Sequence, residues 1–227
     1  MTRKGKKSNQ QPGALGRVHP RRLTNGWAGA NGTRLRLARP GESDEIVPLV
    51  EMAAGPTTPE VRAIIDSSTT SAALLAALRG TPLATQDPVE LSAILVAVLD
   101  ERVVGAIYAK PPTEFMIEMV KSGRASHQSM IPLMTAVTKF AALAVEPEQR
   151  GNGIATNLLD GCVRLYRETG FRLAYGVIDK PELAPFYSAR SFEVLPVGDH
   201  IPLLEFTNLP LGIRAGNDQI IRRRLRP

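Results

Sequence analysis

One cysteine in 227 residues excludes an intrachain disulfide, so Cys162 is expected to pack as a small apolar side chain in a reducing, cytoplasmic setting. Three histidines, His19, His127 and His200, stand too far apart in sequence to give a metal-ligand spacing or a triad, and no metal is expected. No apolar run approaches the ~20 residues of a membrane span, and the charged N-terminus is not followed by the apolar core of a leader peptide. What the chain does have is enough length and apolar content, 43%, for one domain with a proper core.

The net charge of +6 is unevenly spread. Residues 1–33 carry seven basic side chains and no acid, and 210–227 add a net +4, which leaves 34–209 at −5. The sequence therefore divides into a basic arm expected to be disordered (1–33), a globular domain (34–209) and a basic C-terminal tail (210–227). Within the arm, Trp27 is the one residue suited to dock on the domain. Basic ends suit RNA, DNA or another anionic surface, although such runs are more often merely solvated.

Apolar periodicity predicts a strand from Thr33, a helix over "GESDEIVPLVEMAA" capped by Ser43 or Asp44, one or two helices in 58–78, and a hairpin over 90–109. Residues 111–135 then interrupt the order with four of the six methionines, which suits a helix and loop packed on the sheet; a flap over a substrate groove is the sharper alternative. Strands are expected at 138–145 and 171–179, a short helix over "PELAPFYSAR", and closing strands in "FEVLPV" and "IPLLEFTN". No internal repeat is present.

The segment "EPEQRGNGIATNLL" (146–159) carries the chemistry. An apolar strand ends at Val145 because Pro147 cannot continue a ladder. Glycines follow at 151 and 153, and then Ile154, Leu158, Leu159, Cys162, Leu165 and Tyr166 recur at helical spacing up to Gly170. A strand, a tight glycine turn and a helix N-terminus present free N–H donors and the positive end of the helix dipole to an anion.

This order of elements, with Arg150, Gly153 and Ala155 at their spacing and Pro147, Glu148, Gln149 and Gly151 around them, resembles the GCN5-related N-acetyltransferase (GNAT) family over roughly residues 34–207. The resemblance implies an α/β (α+β) fold: a mixed, mostly antiparallel twisted sheet, splayed at the acetyl-CoA strand and flanked by helices. It implies acetyl-CoA as co-substrate, with the pyrophosphate on the amides of Arg150, Gly151, Asn152, Gly153, Ile154 and Ala155. The Thr156 hydroxyl lies close by, and the pantetheine arm lies along the backbone of Leu143, Ala144 and Val145. The segment "APFYSARSFEVL" is similar to a second family segment and nominates Tyr187 as the acid that protonates the departing thiolate. Ser191 replaces the glycine usual there, and Pro181 replaces an asparagine that many members use on CoA. Glu146 is the best-placed base by sequence, ahead of Glu114 and Glu118, and an ordered water is the alternative.

The expected activity is acetyl transfer to a primary amine by direct attack in a ternary complex, with a small-molecule acceptor favoured because the domain is acidic. The alternatives are a toxin-like enzyme acting on aminoacyl-tRNA or protein amines, and a non-catalytic CoA-binding module. No membrane partner is expected, nucleic acid would engage only the basic ends, and a homodimer is compatible with the sequence.

Overall fold

A computed structural model describes residues 18–85 and 87–225. The part of the basic arm before Val18 lies outside the described residues, as do Arg226 and Pro227. Strands β1 (Trp27–Ala28), β2 (Arg34–Leu37), β3 (Ala93–Leu99), β4 (Arg102–Lys110), β5 (Val137–Val145), β6 (Leu173–Ile178), β7 (Glu193–Val194) and β10 (Gln219–Arg224) form one sheet. Its order is β1-β2-β3-β4-β5-β6-β10-β7, and only the β5–β6 pair is parallel. Strands β8 (His200–Pro202) and β9 (Gly212–Arg214) pair only with each other. The mixed, mostly antiparallel sheet agrees with the sequence-based expectation.

Alternation along the strands gives the sheet two apolar faces, and helices cover both. On one face lie α1 (Pro20–Asn25), α4 (Ala72–Leu78), α7 (Ile154–Glu168) and α8 (Ala184–Ser188), around Leu95, Ile107, Phe140, Leu158 and Tyr166. On the other lie α2 (Ser43–Ala54) and α3 (Pro59–Asp66), packed on Ile94, Val96 and Tyr108, and beside them α5 (Thr113–Lys121) and α6 (His127–Ala136), packed on Val137, Leu173 and Tyr175. No helix among the described residues is long and apolar enough to cross a membrane. The 111–135 insertion is thus two packed helices, with Met119 and Met130 buried in that seam and Met134 in the core shared with α7. Helix α2 begins after Glu42 rather than at a Ser43 or Asp44 cap, because Glu42 is held by the buried Arg36 guanidinium. On this helix Val47 is buried, whereas Met52 is 45% exposed.

Both ends depart from their expected form. Residues 18–33 are not an arm: they form α1, β1 and a 3-10 turn at Ala30–Gly32 that run beside α7, with the Val18 N–H donating to Glu168 Oε2 at 2.7 Å. Trp27 does dock, so closely over α7 that a Cβ on Gly161 would sit 3.1 Å from its ring. Residues 210–225 are not a tail either. Strand β10 inserts between β6 and β7 and buries Ile220, Ile221 and Leu225. The arginines read as a free basic run pair with Glu193 (Arg222, 2.8 Å) and Glu205 (Arg224), and Arg223 donates to the Arg190 carbonyl. With these ends folded in, the balance changes. The +6 of the chain, less +5 on residues 1–17 and +1 on Arg226, leaves residues 18–225 neutral, so the acidity of 34–209 is no property of the folded unit.

Candidate active site

The sheet comes apart in its centre. Strand β5 pairs with β4 along its length, from Lys110 opposite Lys139 to Gly105 opposite Val145, but its parallel pairing with β6 ends at Phe140 opposite Gly176. Beyond that point residues 141–145 have a ladder on one side only. The Glu146 N–H donates to Val104 O at 2.9 Å. Backbone direction alternates along a strand, so Ala144 also faces β4, whereas Leu143 and Val145 turn their polar groups toward the gap. A backbone edge of this kind accepts an extended partner as a further strand would.

The gap leads into the glycine turn. Gly151 and Gly153 have φ of 79° and 78°, in the left-handed region where a side chain is costly, and Gly153 is the residue from which α7 starts. The turn returns the Arg150 N–H to Pro147 O, and the next loop or cap bond among the described residues is Asn157 N–H to Gly153 O. The amides between them, with those of the first helical turn, have no intrahelical partner by construction. Arg150 braces the turn, its Nε donating to Val145 O at 3.1 Å and its Nη2 reaching the Met52 sulfur at 3.1 Å, while Asn152 Nδ2 closes on Gln149 O at 3.4 Å. Ile154 is buried and Ala155 half-buried against the core. A Cβ on Gly153 would meet Ala30 at 3.4 Å, so the N-terminal segment forms a wall of the turn.

A cation joins this anion-suited corner. The Arg190 guanidinium donates to Thr156 Oγ1 through Nε (3.1 Å) and Nη2, donates to Phe186 O at 2.6 Å and stacks 4.0 Å from the Phe186 ring. A positive group at a helix N-terminus opposes the dipole, and an anion bound between them relieves that opposition. Tyr187, on α8, is buried against Phe186 and Phe192, with centroids at 5.0 and 5.7 Å. Its hydroxyl has no hydrogen-bond partner among the described residues, and it is not one of the sealed, unpaired polar atoms. Burial pushes its pKa up to about 12, so the phenol keeps its proton at neutral pH.

A family model described as the acetyltransferase (GNAT) family matches residues 69–189, more than half the chain. The chain belongs to the GNAT acetyltransferase family. It is therefore an enzyme, an acetyl-CoA-dependent acyltransferase. Among similar GNAT structures is the phosphinothricin acetyltransferase (Pat) from Sinorhizobium meliloti, solved in complex with AcCoA. It is 18% identical, with 86% of this chain and 89% of that chain covered, at a TM-score of 0.54. The GNAT domain of S. lividans PAT is 10% identical, with 86% and 93% covered, at a TM-score of 0.53. At these identities the likeness is one of fold. No curated protein matches the chain significantly.

Within this GNAT domain the nominated residues fall in three places. Leu143, Ala144 and Val145 lie on the unpaired edge, with Ala144 turned to β4; residues 150–156 form the turn and helix start; and Tyr187 stands on α8, whose core contacts reach β5 through Phe140 and Phe192. Glu146 lies at the end of β5, where Arg102 Nη2 contacts both of its carboxylate oxygens at 3.0 and 3.2 Å. Glu114 sits in the first turn of α5 between two lysines, and Glu118 is exposed. Among the described residues no group of three or more His, Cys, Asp or Glu is placed to hold a metal. Ser191 has φ of 60°, which accounts for the family's usual glycine at that position. Arg190 and Ala30 escaped the sequence, since neither belongs to the signature and both reach the turn only through tertiary packing.

Proposed function

We propose that the protein transfers the acetyl group of acetyl-CoA to a primary amine of a small molecule by direct attack in a ternary complex. One observation carries this reading. The β5–β6 ladder stops at Phe140 while β5 runs on to the glycine turn, so a single unpaired edge leads to a helix N-terminus. The amides of residues 151–155 and the α7 dipole suit a pyrophosphate, and Arg150, Thr156 and Arg190 border the same corner. Leu143 and Val145 would pair the amide-bearing pantetheine arm, although the Val145 carbonyl is already engaged by Arg150. Sinorhizobium meliloti phosphinothricin acetyltransferase, with its AcCoA, offers a precedent on this fold for a small-molecule acceptor.

In the reaction the amine nitrogen bonds the carbonyl carbon, the carbon–sulfur bond breaks, and the Tyr187 hydroxyl gives its proton to the departing thiolate. The acceptor's own proton goes to solvent water in this scheme. Glu146 is the weaker choice, because proton removal would first have to break its contacts with Arg102. The single buried Cys162 fits a reducing, cytoplasmic setting.

Gly153→Val tests the cofactor half of the proposal. A Cβ there points at Ala30 and not at the ligand, so its effect comes through the backbone: a β-branched residue disfavours φ of 78° and turns the amides away. Losing one or two charge-assisted bonds should weaken acetyl-CoA binding about 100-fold by calorimetry, with the thermal midpoint still cooperative. Unchanged affinity in the folded variant would remove the assignment of the turn. Thiol release from acetyl-CoA across a panel of amines tests the other half, and no release with any amine while acetyl-CoA binds would leave a binding module.

A further inference from the structure

Three charged side chains stand together in an otherwise apolar part of the sheet, on the face away from α7. Lys110 on β4 lies opposite Lys139 on β5, and Lys139 lies opposite Tyr175 on β6. Residues directly opposite on neighbouring strands share a face. Tyr175 belongs to the core under α5 and α6, and Tyr108, two residues before Lys110, belongs to the core under α2, so the two lysines project between those helices. Glu114 reaches over from the first turn of α5, hydrogen-bonds Lys110 and lies 3.8 Å from Lys139.

The group is not balanced. Two ammonium groups face one carboxylate. Burial pushes the Glu114 carboxyl upward, but the Lys110 hydrogen bond and the Lys139 charge outweigh that and hold it below its ordinary value, so it stays ionised and the group keeps a net +1. The Lys139–Glu114 contact is too long for a hydrogen bond, and the Lys139 ammonium makes none among the described residues although its side chain is only 27% exposed. Close by, the Lys110 ammonium lies 5.9 Å from the centre of the Tyr108 ring. A half-buried cation with unused donors carries a desolvation cost that a bound acceptor group would offset.

The position says which molecule brings that group. Lys139 immediately precedes Phe140, the last residue of β5 paired to β6, so the cluster lies where the gap opens. With acetyl-CoA entering from the α7 side and lying along the edge of residues 141–145, a nucleophile has access to the thioester carbon from the opposite face, where Lys110, Lys139 and Glu114 are. We infer that Lys139, supported by Lys110, binds a carboxylate on the acceptor, so that the amine acetylated belongs to an amino acid or a related amino-carboxylate. This rests on the acetyl-transfer reading and narrows its acceptor. A polycationic amine is the poorer fit: Glu114 is already matched twice over, and the folded unit is neutral, so no general field draws cations in.

The experiment compares acceptors in matched pairs with the full-length protein, using thiol release from acetyl-CoA. The twenty amino acids and 4-aminobutyrate are each assayed beside their methyl esters, with putrescine and agmatine as carboxylate-free amines. The best acid should exceed its ester in kcat/KM by about 10-fold or more, the range of one charge-assisted hydrogen bond. Lys139→Gln should reduce that ratio to near one, and Lys139→Arg should retain most of it. Circular dichroism and the thermal midpoint check that each variant is folded, and Lys110→Gln gives a second route to the same ratio. Esters or diamines that equal the acids overturn the inference, as does a ratio unmoved in a folded Lys139→Gln. Failure to acetylate any acid while acetyl-CoA binds overturns it too and leaves the cofactor site standing. Failure to bind acetyl-CoA would instead sink the proposed function itself.

Discussion

Tyr187→Phe should lower kcat by about 100-fold while the KM for acetyl-CoA changes by less than about 2-fold, because proton transfer to a leaving group is typically a contribution of that size and is made only in the transition state. The ring contacts with Phe186 and Phe192 survive the substitution, so stability should be nearly unchanged. The hydroxyl makes no protein hydrogen bond among the described residues, which leaves the proton as the one thing removed. The pH profile adds a second check with a definite sign. The protonated phenol is the active form and burial raises its pKa to about 12, so kcat of the parent protein should show no alkaline fall from this group between pH 7 and 10. An unchanged kcat in Tyr187→Phe assigns protonation of the thiolate to water. A KM that rises with the fall in kcat makes the tyrosine a wall of the cofactor site.

Truncation after Asn208 should abolish cooperative folding. The basic C-terminal residues read as a tail by composition, but β10 lies inside the sheet, hydrogen-bonded to β6 on one side and β7 on the other. Removing it exposes the contacts of Ile220, Ile221 and Leu225, all buried, at about 1.5–3 kcal/mol each, which together rival a typical total stability of about 5–15 kcal/mol. It also bares the edge of β6 on the side away from the gap, inviting edge-to-edge association. Insoluble protein, or a melting curve without a transition, is the expected outcome; a soluble, cooperatively melting product would show that β7 can pair with β6 unaided. Residues 18–33 are expected to matter as well, since Trp27 and Ala30 lie on α7 and its turn.

The parts of this protein that could be read from its sequence are those whose determinants lie within about fifteen residues of one another. Pro147 ending β5, the glycines at 151 and 153, and the apolar stripe from Ile154 to Tyr166 specify strand, turn and helix by local sterics and periodicity alone, and the structure has each within a residue of its expected place. The hairpin was legible for the same reason, as was helix in 58–78, although the sequence left open whether it was one helix or the two that form. The ends were not. A run such as "QIIRRRLRP" satisfies a charge-based rule for a tail and a pattern-based rule for a strand equally well, and the choice is made by the vacant place between β6 and β7 and by Glu193 and Glu205, which meet its arginines. The same holds at the site. Sequence alone determined that an anion-holding turn exists and which residues form it. Only the tertiary structure decided that β6 leaves β5 after Phe140, that Arg190 reaches Thr156, and that Lys110, Glu114 and Lys139 meet on the far face, because each of these depends on register and packing between segments that no local pattern relates.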